Sequence, residues 1–178
     1  MRILHEQTQI RSEARPTFHD MTDYVAGVVR AAGAVSGIAL VYSQHTTCSV
    51  MVQEQSDDTD YYGEQYLMRD LVNTLAKIAP TCENEGQYLH PGSKHIEIAA
   101  RERSEEPFWS LNTDAHLRSV LMGRSVTVPV VDGELVLGEF GRIYFADFDQ
   151  VRARERTVRV TVICEGGRTA YETENAVF

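Results

Sequence analysis

Two apolar segments flank a polar turn in Gly37-Ile38-Ala39-Leu40-Val41-Tyr42-Ser43-Gln44-His45-Thr46-Thr47-Cys48-Ser49-Val50-Met51-Val52-Gln53-Glu54. Gly37 to Ser43 is a short apolar run, as expected of a buried strand. Thr47 to Glu54 follows as a second strand, with Cys48, Val50 and Val52 on one face. His45 lies in the connection between them. Connections this short predict a mostly antiparallel sheet.

The pattern extends outward in both directions. Upstream, Arg2 to Ile10 reads as a strand. Thr22 is the expected N-cap of a helix through Tyr24, Val25, Val28 and Val29 that stops near Gly33. Downstream, a helix is predicted between Asp60 and Ala79, with Leu67, Leu71, Val72, Leu75, Ile78 and Ala79 on one stripe. Asp57, Asp58 and Asp60 sit before or at its start, where negative charge favours the helix dipole, and Pro80 ends it. Thr81 to Leu111 holds Pro91 and Pro107 and is expected to be loop or insertion. Asn112 or Thr113 caps a short helix through Met122, with Gly123 as its stop. Ser125 to Val131 is strand-like, and Asp132-Gly133 signals a hairpin before Glu134 to Gly138. Pro129 suggests an edge or a subunit contact. Ile143 to Asp149 is a further strand. Thr157 to Cys164 alternates, with Val158, Val160, Val162 and Cys164 inward. The sum is an α+β domain over residues 1–165, with an insertion at 91–111 and a poorly ordered tail at 166–178.

Composition removes several classes of function. The chain has 178 residues, 17 basic and 26 acidic, for a net charge of −9. An apolar share of 43% fits a globular domain and excludes a mostly disordered chain. No apolar run reaches the roughly 18 residues of a membrane helix. Met1 to Ile10 lacks the pattern of a signal peptide, so a cytoplasmic location away from membranes is expected. Cys48, Cys82 and Cys164 are odd in number and far apart, which argues against a disulfide framework or a zinc finger. The acidic balance disfavours nucleic-acid binding, but leaves room for a local pocket of arginines. No P-loop, GxGxxG or GxSxG motif occurs.

Three histidines stand where chemistry is conceivable. His45 follows a buried strand, His90 precedes Pro91-Gly92, and His116 is one turn into a short helix. Neutral imidazoles suit zinc, and three protein ligands with one open position is the usual catalytic arrangement. Spacing alone does not gather them, and three separate surface or hydrogen-bonded histidines is the commoner outcome. His95 and Glu97 would share one face of an extended segment, more often a solvated face than a site. His5 and His19 read as surface residues. Glu54, at the end of the strand that starts after His45, is the candidate general base. Glu139 is a second carboxylate of the same kind. Arg118, Arg124 and Arg142 are candidates for an anion pocket, against the reading that each is salt-bridged at the surface.

Taken together, Gln44-His45-Thr46-Thr47-Cys48-Ser49, Glu54, Ala115-His116-Leu117-Arg118-Ser119 to Gly123, Ser125-Val126-Thr127-Val128-Pro129-Val130, and Asp132-Gly133 to Leu137-Gly138 resemble the YjbQ family, also called UPF0047. The resemblance runs in order over about residues 5 to 165. It implies an antiparallel sheet, half-barrel or sandwich-like, carrying two or three helices, and assembly as a homotrimer. It implies a histidine cluster holding a divalent metal, usually discussed as zinc, and in some members a secondary thiamine-phosphate synthase activity. That reaction expels pyrophosphate from a pyrimidine diphosphate while a thiazole phosphate attacks the carbon. His45 matches the histidine of the family's His-Thr-[Ser/Thr] motif, and His116 that of its His-[Ile/Leu]-[Lys/Arg]-Ser motif. His90 matches a histidine after the long helix.

The expected site therefore has His45, His90 and His116 on the metal and Glu54 for proton transfer. Arg118, Ser119, Arg142 and Glu139 would contact a small phosphorylated substrate. Three departures stand out. Gly138-Glu139-Phe140-Gly141 replaces the family's Gly-Thr-Trp-Gln, Gln53-Glu54-Gln55 replaces Asn-Glu-Asn, and Pro91 to Leu111 looks inserted, as a lid or as an inert excursion. Beside the enzyme stand two other readings: a binding module for a small anion, and histidines that serve assembly alone.

Overall fold

The computed structural model describes residues 1–166. The expected tail, 166–178, lies outside them except for Gly166, which ends the last strand. The elements in chain order are β1 (Arg2–Arg11), β2 (Thr17–Asp20), α1 (Thr22–Ala32), β3 (Ala34–Ser43), β4 (Cys48–Glu54), α2 (Tyr66–Ile78), α3 (Ser93–Arg103), a 3₁₀ turn (Pro107–Ser110), α4 (Thr113–Met122), β5 (Ser125–Val131), β6 (Glu134–Leu135), β7 (Gly141–Asp147) and β8 (Glu155–Gly166).

Every named strand pair is antiparallel. The strands form a five-stranded sheet, β1-β8-β3-β5-β6, and a three-stranded one, β2-β7-β4. Together they make a curled half-barrel. β3 and β4, adjacent in sequence, therefore do not pair. The chain changes sheets at 44–47, so the His45 turn sits on the seam between them. Two backbone bonds hold that seam, Ser43 N–H to Arg124 O at 2.9 Å and Val50 N–H to Gly123 O at 3.4 Å.

One core lies between the sheets and α1. It takes Val25, Val28 and Val29 from the helix, Val158, Val160 and Val162 from β8, and Cys48, Val50, Ile143 and Phe145 from the smaller sheet. A second core lies on the other face of the smaller sheet, where Met51, Tyr144 and Ala146 meet Met68 and Leu75 of α2 and Ala115 of α4. Double coverage explains why Cys48–Met51 and Ile143–Asp147 are buried without a break. Val52, expected to face inward with Val50, is exposed near the end of β4.

Local signals explain most element ends. Gly33 adopts φ +61° and closes α1 with its N–H on Arg30 O. Asp132 and Gly133, at φ +52° and +82°, form the tight hairpin between β5 and β6. β5 beyond β3 meets only the two-residue β6, so Pro129 lies near a sheet edge. Gly37 is required by close approach, since a Cβ there would sit 2.2 Å from Ile163 O.

Several expectations need correction. Thr22 is the first helical residue rather than the cap; its Oγ1 accepts Ile143 N–H, and Asp20 Oδ1 accepts the Thr22 N–H. α2 starts at Tyr66, not Asp60, because Asp60 Oδ1 accepts the N–H groups of Tyr62 and Glu64 and closes a loop instead. The described residues hold four helices rather than two or three. The additional one, α3, lies in the segment expected to be loop. Good helix formers (Ala99, Ala100, Arg101, Glu102) and an i,i+4 Glu97–Arg101 pair at 3.8 Å favour it. His95 and Glu97 are thus helical, not extended. No helix among the described residues is long and apolar enough to cross a membrane.

Candidate functional site

A cavity of about 380 Å³ opens on the seam between the sheets. The sheet-switching turn supplies Gln44 to Thr47, α4 and the residue before it supply His116 and Asn112, and the segment from β7 into β8 supplies Asp149, Arg154 and Arg156. α3 and the 3₁₀ turn close the remaining side with His95, Trp109 and Ser110.

His90 and His116 stand together, their ring centres 5.7 Å apart, and His95 lies 4.7 Å from His90. Hydrogen bonds fix the tautomers of His45, His90 and His116. His116 Nδ1 donates to the Thr46 carbonyl at 3.2 Å, since a carbonyl only accepts. The Thr113 hydroxyl donates to the His90 carbonyl, so the 2.9 Å contact between His90 Nδ1 and Thr113 Oγ1 is donated by the ring. Each ring therefore keeps its Nε2 lone pair free, the arrangement of a metal-ligating imidazole held by an outer partner. His45 differs. Its Nε2 accepts the Thr157 N–H at 2.9 Å, so its proton sits on Nδ1. His45 reaches the same cavity, yet it would bind an ion only by giving up that bond. Among the described residues, no three His, Cys, Asp or Glu side chains are already gathered to hold a metal. His90 and His116 thus have the donor chemistry for a divalent ion, and a third ligand would need a side-chain shift.

Burial, first of all, lowers the pKa of all three rings; Arg156 adds to it at His45, and His95 at His90 and His116. They stay neutral in the folded chain where free imidazole, at 6.5, begins to charge. Lowered folded-state values give stability that is fully present above 6.5 and is lost as the pH falls through the folded values. Chemical denaturation from about pH 7.5 down to about pH 5 is expected to show the midpoint falling, and a His45→Gln, His116→Gln variant to flatten that fall. An unchanged slope in the variant would remove these rings as its cause.

The floor of the cavity is a buried charge network. Arg156 Nε meets Asp147 Oδ2 at 2.6 Å, and its Nη2 reaches Thr47 Oγ1 at 2.9 Å and Asp149 Oδ2 at 3.5 Å. Arg154 pairs with Asp149 at 2.9 Å. These arginines escaped the sequence reading. A signal was present: Arg152, Arg154 and Arg156 recur at every second position leading into β8, and the last two line the cavity.

The arginines named from sequence lie elsewhere. Arg118 is 1% exposed, pairs with Asp114 at 3.2 Å, and donates twice to Ala79 O at the end of α2. It caps one helix from another. Arg124 contributes its carbonyl to the seam. Ser119 is buried and its hydroxyl donates to Cys48 O. Glu54 and Arg142 sit at the other end of the smaller sheet, where Glu54 pairs with Gly141 and Gln53 with Arg142, while Cys48 pairs with Asp147 beside the cavity. The span from Cys48 to Glu54 is about 20 Å, so Glu54 cannot move a proton in the cavity of its own chain. Glu139 and the Gly138–Gly141 loop belong to that distant end as well, so their departure from the family pattern does not alter this cavity within a chain.

Comparison with known proteins identifies the family. Residues 6–165 match the family model described as UPF0047 protein YjbQ-like. A UPF0047 protein of Methanothermobacter thermautotrophicus is 30% identical over 162 residues, covering 91% of this chain and 93% of that one. A UPF0047 protein of Archaeoglobus fulgidus is 31% identical over 150 residues, covering 84% and 95%. The crystal structure of an uncharacterised YjbQ/UPF0047 protein of Clostridium acetobutylicum superposes with a TM-score of 0.67 at 28% identity, covering 89% of this chain and 99% of that one. The half-barrel and the motifs that run through it come from one lineage: the chain belongs to the YjbQ/UPF0047 family.

Proposed function

We propose that this chain is a metal-dependent enzyme acting on small phosphorylated molecules. The observation that carries the reading is the pair of tethered imidazoles, His90 and His116, with free Nε2 lone pairs beside a cavity floored by Arg154 and Arg156. His90 and His116 would hold a divalent ion, zinc by donor type, with His45 or His95 as the third ligand. A bound ion there supplies Lewis-acid polarisation of a phosphate oxygen or lowers the pKa of a water. Rings kept neutral by burial present their lone pairs without first losing a proton. Arg154 and Arg156 direct guanidinium N–H groups at phosphate oxygens. His45 Nδ1–H is a donor within the cavity while its Nε2 stays on Thr157. The finer version is secondary thiamine-phosphate synthase activity, with pyrophosphate leaving a pyrimidine diphosphate, in a homotrimer.

The test is elemental analysis and zinc titration of the purified protein beside four alanine variants. His90→Ala and His116→Ala are expected to weaken zinc binding about 100-fold or more. Whichever of His45→Ala and His95→Ala does the same names the third ligand. Unchanged metal content in both His90→Ala and His116→Ala would overturn the proposal. Chelation should abolish condensation of the two phosphorylated precursors. Ligand affinity with no turnover on any phosphorylated substrate would leave a small-anion binding protein instead.

A further inference from the structure

The segment 91–111 contributes more to the cavity than its place in the sequence suggests. α3 and the 3₁₀ turn supply His95, Arg103, Glu105, Trp109 and Ser110 to its lining. Ser110 is 4% exposed, and its buried Oγ has no hydrogen-bond partner. Hydroxyls in that position are nearly always satisfied, because an unpaired one forfeits its hydration for nothing. Arg154, just before β8, sets its Nε 2.9 Å from Asp149 Oδ2 but off the direction of a good hydrogen bond. Arg103 is half exposed, and its nearest carboxylate, Glu105, is 3.7 Å away. Around one cavity, then, Ser110 Oγ lacks any partner, while the Arg103 and Arg154 guanidinium groups each meet a single carboxylate and keep further N–H groups for a ligand. Trp109 forms the adjoining wall, its ring capped by the Arg152 guanidinium at 4.1 Å.

We infer that the α3–3₁₀ segment builds an oxyanion subsite, in which Ser110 Oγ, Arg103 and Arg154 hold a phosphate or carboxylate group of the ligand. The segment is then a specificity wall, not an inert excursion. The inference rests on reading this cavity as the ligand site, but it needs no metal.

Trp109 is the sole tryptophan of the chain, so its fluorescence reports on this wall. The experiment titrates the full chain, in chelator, with inorganic phosphate, pyrophosphate and acetate, against chloride at matched ionic strength. A saturable change with phosphate or pyrophosphate names a phosphate subsite; with acetate, a carboxylate one. Ser110→Ala and Arg103→Gln are each expected to weaken that affinity about tenfold. Ser110→Ala should leave the melting temperature unchanged or raise it, since it deletes an unsatisfied group. If it fails to fold, the exposed Arg103→Gln decides. No saturable change in the wild type, or wild-type affinity in both variants, overturns the subsite. His90→Ala separates the two proposals: zinc lost with phosphate affinity kept supports both. Zinc bound through His90 and His116 with no oxyanion binding sinks the subsite alone, and oxyanion binding without zinc sinks the metal reading alone.

Discussion

Replacing Arg156 by alanine is expected to destabilise the fold by about 3–5 kcal/mol. Arg156 is 6% exposed, and Asp147 and Asp149 beside it are fully buried. Burial alone would lower the Arg156 pKa, but hydrogen bonds and charge from Asp147 more than offset it, so the guanidinium stays charged. The variant leaves two buried carboxylates, with Arg154 beside Asp149 and the Thr47 hydroxyl on Asp147 as their remaining partners. For a chain of this size the melting temperature should fall by roughly 6–20 °C. Urea denaturation of Arg156→Ala beside Arg159→Ala, an exposed neighbour on the same strand, checks this. Parity between the two variants would show that the network contributes little. The variant should also lose oxyanion affinity, because the lost guanidinium lines the cavity.

The second large effect separates a structural arginine from a functional one. Arg118→Ala is expected to cost a similar amount, about 3–5 kcal/mol, since it uncovers buried Asp114 and the Ala79 carbonyl that ends α2. Zinc and phosphate affinity of the folded protein should stay at wild-type values, because Arg118 faces the helix pair and not the cavity. Pairing Arg118→Met with Asp114→Asn should recover much of the loss by removing both charges while keeping volume. If Arg118→Ala instead stays stable and loses ligand, the residue has the role its motif suggested.

What the sequence made legible follows from where local rules suffice. Alternation in β8, the Asp132-Gly133 hairpin and the glycine stops of α1 and α4 are each set within a few residues, and each reads correctly. α3 was missed because it buries only Ala99 and so carries almost no apolar stripe. β3 and β4 share a seam rather than a ladder, which no local pattern encodes. The site followed the same division. His116 is readable through its motif and His90 through its place after the long helix, and the structure brings the two rings side by side. Arg118 shares the His116 motif but points into the protein, since residues two apart on a helix face different ways, and Ser119, one turn on from His116, is buried with its short hydroxyl on Cys48 O. Glu54 was mistaken in direction: a strand that begins at a cavity ends a strand's length away from it. His95, Ser110 and the Arg154–Arg156 pair reach the cavity through tertiary packing of an irregular segment and a strand start.

The central claim is that His90 and His116, twenty-six positions apart, bind one ion through their Nε2 atoms. Diffraction from zinc-soaked crystals, recorded on both sides of the zinc absorption edge, tests it most directly. The expected result is one anomalous peak about 2.0–2.1 Å from both Nε2 atoms, with Nδ1 of each ring still on Thr113 and Thr46. A map with no peak between these rings, or with zinc on other residues, would contradict it.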